Sequence, residues 1–541
     1  MGEDVVDKVL ERAGRWGKFQ LRVFLCLLLA TVFSAFSLSY IFTARDIKYR
    51  CYIPECEKSP LNASYNPDWL LEFVPFQDKS PSRCLRYASV NTSISRRESP
   101  ACSKESVLQN MTVRCDQFVY QKKEITIVHD FNIICSENLW KLTIIGTLSV
   151  TGELVCLSYS GFISDIYGRK TLLILSMLLS TMVGLLRSFA ANYYAYAIFE
   201  FLDTAFSGCT YGAAFVLAME MLESKHRTLG NFALSVLYAL GCVFVGLAAW
   251  FSPSWRIMLR ILYTPGLLSI IFIWAIPESL RWLLSKKNTK EAKKVIKQIA
   301  SENNREIMFS SISLLGVKTG VDPDGRSGFK ESIRNRRLLI RMVHCSFTWI
   351  CCTFLYFGLT IHSTAMSENV YLSFIFAVMV ELPGYIIYYY GNEKIGRRLM
   401  MFFSLVSAGL SCLAVGIVKE EMEILKLALF LWGKCSSTVA FTVLFSYTTE
   451  IFPTCSRHTM FSICSMFGRF GSMLAPQIPL LARVSRLLPL LTFGGIGCIS
   501  GTLALLFPET LNTKLPDTIE QAVNIGKKIE TIKEEEEEAL S

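Results

Sequence analysis

A chain of 541 residues that is 52% hydrophobic and only 18% charged is too apolar for a soluble protein, yet its apolar runs are interrupted by polar loops as in a polytopic membrane protein. Its formal charge of +10 does not mark a nucleic-acid binder, because the basic residues are spread over the loops, where they set orientation. Twelve runs are long enough to span a bilayer, at roughly 20–43, 139–162, 171–190, 195–218, 229–250, 256–276, 338–360, 369–390, 399–418, 424–447, 458–482 and 487–507.

Residues 1–19 carry Lys8, Arg12, Arg15 and Lys18 ahead of the first run, which predicts an uncleaved first helix with a cytoplasmic N-terminus. Residues 44–138 then form a 95-residue loop that holds the three N-glycosylation sequons of the chain, at Asn62, Asn91 and Asn110. The same loop holds Cys51, Cys56, Cys84, Cys102, Cys115 and Cys135, an even set whose confinement with the sequons predicts an oxidising, extracellular setting. Six cysteines allow about 15 pairings, and spacing does not choose among them. The remaining twelve cysteines lie in or beside apolar runs, as packing residues do.

The stretch GFISDIYGRK, 161–170, sits between two apolar runs and returns as GNEKIGRR at 391–398. Asp165, Gly168, Arg169 and Lys170 match Glu393, Gly396, Arg397 and Arg398 at an offset of 228. Glu220 with Arg227 returns as Glu450 with Arg457, 230 on, and PES at 277 returns as PET at 508. The chain is therefore a duplication, and each copy of the turn needs a glycine for its reversal. The carboxylates and cations at these helix ends form a candidate latch, Asp165 with Arg169 and Glu450 with Arg457, able to hold one state and release another. Its bland counterpart is an ordinary positive turn. The doubled G-x3-D-x2-G-R-[KR] resembles the signature of the major facilitator superfamily, which implies two six-helix halves and alternating access.

Within that superfamily the segment TIVHDFNIICSENLW, 126–140, resembles the one that precedes the second helix in the organic cation, anion and zwitterion transporters. TWICCTFLYFGL at 348–359 and Glu381-x-Pro383-x-Tyr385 resemble that family's seventh and eighth helices, SYTTEIFPT at 446–454 and RFGSMLAP at 469–476 its tenth and eleventh, and PETLNTKLPDTIEQ at 508–521 its C-terminal signature. Between Glu220 and Arg227 the family has an aromatic and a proline, and this sequence has neither. The fold expected is an all-α membrane protein of twelve transmembrane helices, with halves at 1–276 and 338–507, a cytoplasmic linker at 277–337 and an acidic cytoplasmic tail at 508–541. The linker carries 14 Lys and Arg against 7 Asp and Glu, and apolar Ala292, Val295, Ile296 and Ile299 recur there at helical spacing. A solvated linker is the reading preferred there over a membrane-surface or calmodulin-binding helix.

No nucleotide loop, HExxH or nucleophile elbow occurs, so neither enzyme chemistry, a cofactor nor a metal site is expected, and transport would be driven by gradients. The resemblance implies a plasma-membrane transporter of small organic ions, with sodium, protons or an exchange substrate as coupling partner. It places Tyr238, Trp349, Tyr356, Phe441 and Phe445 on cavity-lining helices, where aromatic faces bind cations and aryl groups with little directional demand. It also singles out Glu381 and Arg469, two ionised groups in apolar runs that require a wet cavity or a partner. Opposite signs on these two suit a zwitterion such as a carnitine-like amine, with organic cations next and anions third. A structural Glu381–Arg469 bridge is the plain alternative. A sugar transporter, a non-transporting sensor and a membrane enzyme are the other classes weighed.

Overall fold

The computed structural model describes residues 17–525, apart from 55, 58, 61–62, 78–79, 90–101, 103–106, 122–123, 222–226, 287, 305–330, 367–368, 420, 454–455, 486, 512, 514–515 and 517. Asn62, Asn91 and the far end of the tail lie outside the described residues.

Helices occupy the predicted spans. They are α1 (Lys18–Thr43), α2 (Leu139–Tyr167), α3 (Arg169–Arg187), α4 (Tyr193–Met221), α5 (Arg227–Phe251) and α6 (Trp255–Ala275). The second set is α7 (Arg336–His362), α8 (Val370–Lys394), α9 (Arg397–Ile417), α10 (Glu423–Ile451), α11 (Arg457–Leu474, continued by Ala475–Arg483) and α12 (Leu488–Ala504). Ten of the described helices are long and apolar enough to cross a membrane. The shortfall has a physical cause. The apolar run of α12 covers 17 residues, and α11 carries Arg457, Arg469 and Arg483 and tightens into a 3-10 turn at Pro476 and Pro479. Pro265 likewise converts the middle of α6 to 3-10 geometry over Thr264–Ile271.

Residues 44–138 fold as a small disulfide-knit unit. Three antiparallel ladders pair Tyr49–Cys51 with Phe118–Tyr120, Phe76–Gln77 with Ser80–Pro81, and Leu85–Ser89 with Val107–Arg114. All six cysteines are joined, Cys51 to Cys115, Cys56 to Cys102 and Cys84 to Cys135, which selects one of the pairings left open by sequence. Asn110 is exposed on the long strand. At the end of this unit Glu124 accepts from Arg45 at 2.8 Å and from the Tyr371 hydroxyl at 2.6 Å, tying α1 to α8.

The linker departs from its solvated reading. Helix Thr289–Glu302 buries Ala292, Val295, Ile296 and Ile299 in the core that holds Phe19 and Val23. Arg22 bonds Glu302 at 2.9 Å, and the Asn303 side chain accepts the Phe19 N–H at 3.2 Å. The apolar face is covered by the protein itself, so neither a membrane surface nor calmodulin has a free face to take.

Candidate transport site

The duplicated turns are built alike. Gly168 and Gly396 sit at φ +101° and +91°, where a side chain is strained and where a Cβ would strike the carboxylates of Glu278 and Glu509 respectively. Glu278 accepts from the backbone N–H groups of Arg169 and Lys170 at 3.0 and 3.2 Å, and Glu509 from those of Arg397 and Arg398 at 2.9 and 3.1 Å. Each acid thus satisfies free donors at a helix start and meets the positive end of its dipole. Burial pushes the Glu278 carboxyl above the usual glutamate range, against the pull of the N–H groups of Ser279, Lys170 and Arg169. The PES and PET echoes are therefore the caps of the turn motif, a role that sequence distance hid.

The latch pairs differ in part from the expected ones. Arg169 does meet Asp165 at 3.1 Å, but that carboxylate is exposed, and the buried-side partner is Glu220 at 3.6 Å. In the second copy Arg397 meets Glu450 at 3.1 Å, while Arg457 turns away to the carbonyls of Phe452 and Pro516, both at 3.2 Å. The Glu450–Arg457 pair is thus corrected to Glu450–Arg397, the counterpart of Glu220–Arg169. Both turn arginines also donate to the carbonyl five residues back, Ser164 and Asn392, at 3.0 Å. Glu393 is exposed, Lys170 donates to the Ile273 carbonyl at 2.6 Å, and Arg398 enters through its backbone. The side chain of Arg227 lies outside the described residues.

Among the residues expected to meet substrate, Glu381 and Arg469 do not pair with each other. Glu381 binds Lys434 of α10 at 2.9 Å, with both groups almost wholly buried. It also accepts the hydroxyls of Tyr356 at 2.9 Å and Tyr385 at 3.4 Å. The Lys434 ammonium stands 3.5 Å from the centre of the Tyr356 ring, which stacks on Phe441 at 5.1 Å. Arg469 instead bonds Glu153 of α2 at 2.7 Å, across the seam between the halves. The plain bridge reading is overturned, since each group has another partner.

Trp349 is buried, donates to Thr448 at 3.0 Å and touches Phe441 and Phe445 edge-on or tilted, while Phe445 itself is exposed. Tyr238 is half-buried against Tyr211 and lies within electrostatic reach of both Glu153 and Glu381. Tyr356 therefore touches Glu381, and Phe441 and Trp349 extend from it as a run of ring contacts.

The helices hold a third group of charges that sequence reasoning missed. Arg187 of α3 bonds Glu200 and lies 3.4 Å from Asp203, both of α4, and all three side chains are 0% exposed. Ser39 and Tyr263 complete the set, with Arg187 donating to Ser39 at 2.8 Å and the Tyr263 hydroxyl to Asp203. Glu153, Arg187, Glu200, Asp203 and Lys434 share one signal in the sequence, a charge inside an apolar run. Among the described residues no group of three or more His, Cys, Asp and Glu side chains is placed to hold a metal ion.

Residues 101–517 match the family described as sugar (and other) transporter. Solute carrier family 22 member 7 of rat is 32% identical over 96% of this chain and 97% of its own length. The chain belongs to solute carrier family 22. Solute carrier family 22 member 3 of mouse is 29% identical over 96% of both chains, and the organic cation transporter protein of Drosophila melanogaster is 29% identical over 96% of this chain and 95% of its own. The fold is that of the E. coli xylose transporter XylE in a partially occluded inward-open conformation, with a TM-score of 0.58 at 13% identity, covering 92% of this chain and 100% of that one. Solute carrier family 22 is a family of the major facilitator superfamily, so this chain is a multi-pass membrane transporter of small organic substrates and not an enzyme.

Proposed function

We propose that the chain is a gradient-driven plasma-membrane carrier of small organic ions, working by alternating access and favouring zwitterions and cations such as carnitine-like or amino-acid-derived amines. The observation that carries the preference is the pairing of both charge signs inside the bundle, Glu381 with Lys434 and Glu153 with Arg469, the first beside the stacked rings of Tyr356 and Phe441. A charge near mid-bilayer costs roughly 2.5 to 3.5 kcal/mol on insertion scales, so four of them in one interior are retained for a reason other than packing. An organic cation finds ring faces and carboxylates there, and a zwitterion finds in addition a guanidinium for its acid end. The name of the Drosophila relative agrees with cation handling.

The same reading gives residues 1–276 and 338–507 as the moving halves. Residues 44–138 then face outside, and the turns, the linker 277–337 and both termini face the cytoplasm. Complete disulfide pairing of the loop supports that orientation. The turn pairs Arg169–Glu220 and Arg397–Glu450 act as switching contacts.

The test is an uptake panel in expressing cells, using one carbon skeleton as cation, zwitterion and anion, with a hexose as control. Accumulation ordered zwitterion, cation, anion is expected. Uptake of the hexose alone, or of nothing, contradicts the proposal.

A further inference from the structure

Arg469 and Glu153 form an ion pair that joins a transmembrane helix of one half to a transmembrane helix of the other. It sits midway along α2, and the contacts that close the same seam lie to one side of it, toward the loop 44–138. Thr147 donates to the Met473 carbonyl at 3.1 Å, Gln477 donates to Thr147 at 2.7 Å and Thr143 donates to Gln477 at 3.0 Å. Alternating access requires this zipper to part, and the ion pair at its inner end must then part with it. Side-chain exposures of 26% for Arg469 and 18% for Glu153 leave both within reach of a ligand, unlike the wholly buried Lys434.

Separating two ions in a low-dielectric interior is costly unless each finds a new partner. The chemistry of that new partner is dictated by the pair itself. An organic anion would satisfy Arg469 and strand Glu153, and an organic cation would do the reverse. A zwitterion satisfies both, with its carboxylate on Arg469 and its ammonium on Glu153.

We propose that Glu153 and Arg469 form a zwitterion seat across the seam, closed on itself in the empty carrier and opened by a substrate that replaces each residue as the other's partner. The seat rests on the carrier function proposed above and takes the zwitterion at Glu153, leaving Glu381 and the Tyr356 ring beside it to simple cations. The pair then serves twice, as the selector of a dipolar substrate and as the contact that lets the unloaded carrier close.

The experiment is the ratio of kcat/KM for a carnitine-like zwitterion to that for its matched anion, measured at equal surface expression for the native chain, Glu153→Gln and Glu153→Asp. Glu153→Gln removes both the ammonium's partner and the competitor for Arg469. The ratio is expected to fall by about tenfold or more, the size of one charge-assisted hydrogen bond, with the KM for the anion decreasing. Glu153→Asp keeps the charge with a shorter reach and should hold most of the ratio. A ratio unchanged in Glu153→Gln, with both substrates slowed alike, overturns the seat and leaves a structural bridge. Should Glu153→Gln not reach the surface, a ratio in Glu153→Asp that shifts toward the zwitterion overturns it equally. If the native chain takes up cations but no zwitterion, the seat fails while the carrier function stands, and if it takes up no organic ion at all, the carrier function fails first.

Discussion

The two copies of the duplicated turn share their glutamate cap and their arginine–glutamate pair, whereas the ionised groups inside the two halves are arranged differently. Arg169 and Arg397 each bind a glutamate of the neighbouring helix end, Glu220 and Glu450, and each turn is capped by a glutamate, Glu278 and Glu509, more than 100 residues on. Inside the bundle the first half instead seals a triad, Arg187 with Glu200 and Asp203, away from solvent, and the second holds Glu381 against Lys434 beside aromatic rings. On the proposed function, geometry retained in both copies serves what both halves must do, which is to move. Chemistry found in one copy alone serves either the stability of that half or a substrate that is itself asymmetric.

That contrast breaks most readily at the triad. Arg187→Leu leaves two buried carboxylates without their cation, at a cost of about 3 to 5 kcal/mol, and should remove most folded protein from the surface. Fluorescence size-exclusion profiles of the expressed variant check this, and a monodisperse peak with native uptake would assign the triad no structural role. Next comes the loop. Cys51→Ser with Cys115→Ser should destabilise it by about 2 to 5 kcal/mol, read as rapid proteolysis between residues 44 and 138 while the helical bundle stays intact. The turns come third. Arg397→Ala and Glu450→Gln should each lower maximal uptake about tenfold, as the loss of a charge-assisted bond does, with substrate order unchanged, and Glu220→Gln should do the same in the first copy. A large effect in one copy only would end the equivalence. The smallest change is diagnostic of sidedness. Asn110→Gln should remove one glycan and lower the apparent mass of the untreated protein without altering uptake, and an unchanged mass would count against an outward loop.

The sequence made the helices, the duplication and the loop cysteines legible because each is a local signal, an apolar run, a repeated turn or an even count. The partners of the charges were not legible. Glu278 and Glu509 reach their turns across four intervening helices, and Arg397 prefers Glu450 because the helix start faces that helix end, 53 residues on. Glu381 and Arg469 stood out as charges in apolar runs, but Lys434, Glu153, Arg187, Glu200 and Asp203 obeyed the same rule and only packing shows who neutralises whom. The connectivity of the disulfides was hidden for the same reason, since it depends on how ladders within the loop pair.

The proposed division between turns that switch and interior pairs that select is tested most directly by concentration-dependent uptake of a matched cation and zwitterion, at equal surface expression, in Arg397→Ala and Glu381→Gln. The account predicts that Arg397→Ala lowers both maximal rates in proportion and leaves the ratio of KM values at the native figure, while Glu381→Gln raises the KM for the cation by about tenfold, the loss of one charge-assisted contact, and shifts that ratio. A native ratio in Glu381→Gln together with an altered one in Arg397→Ala would contradict it.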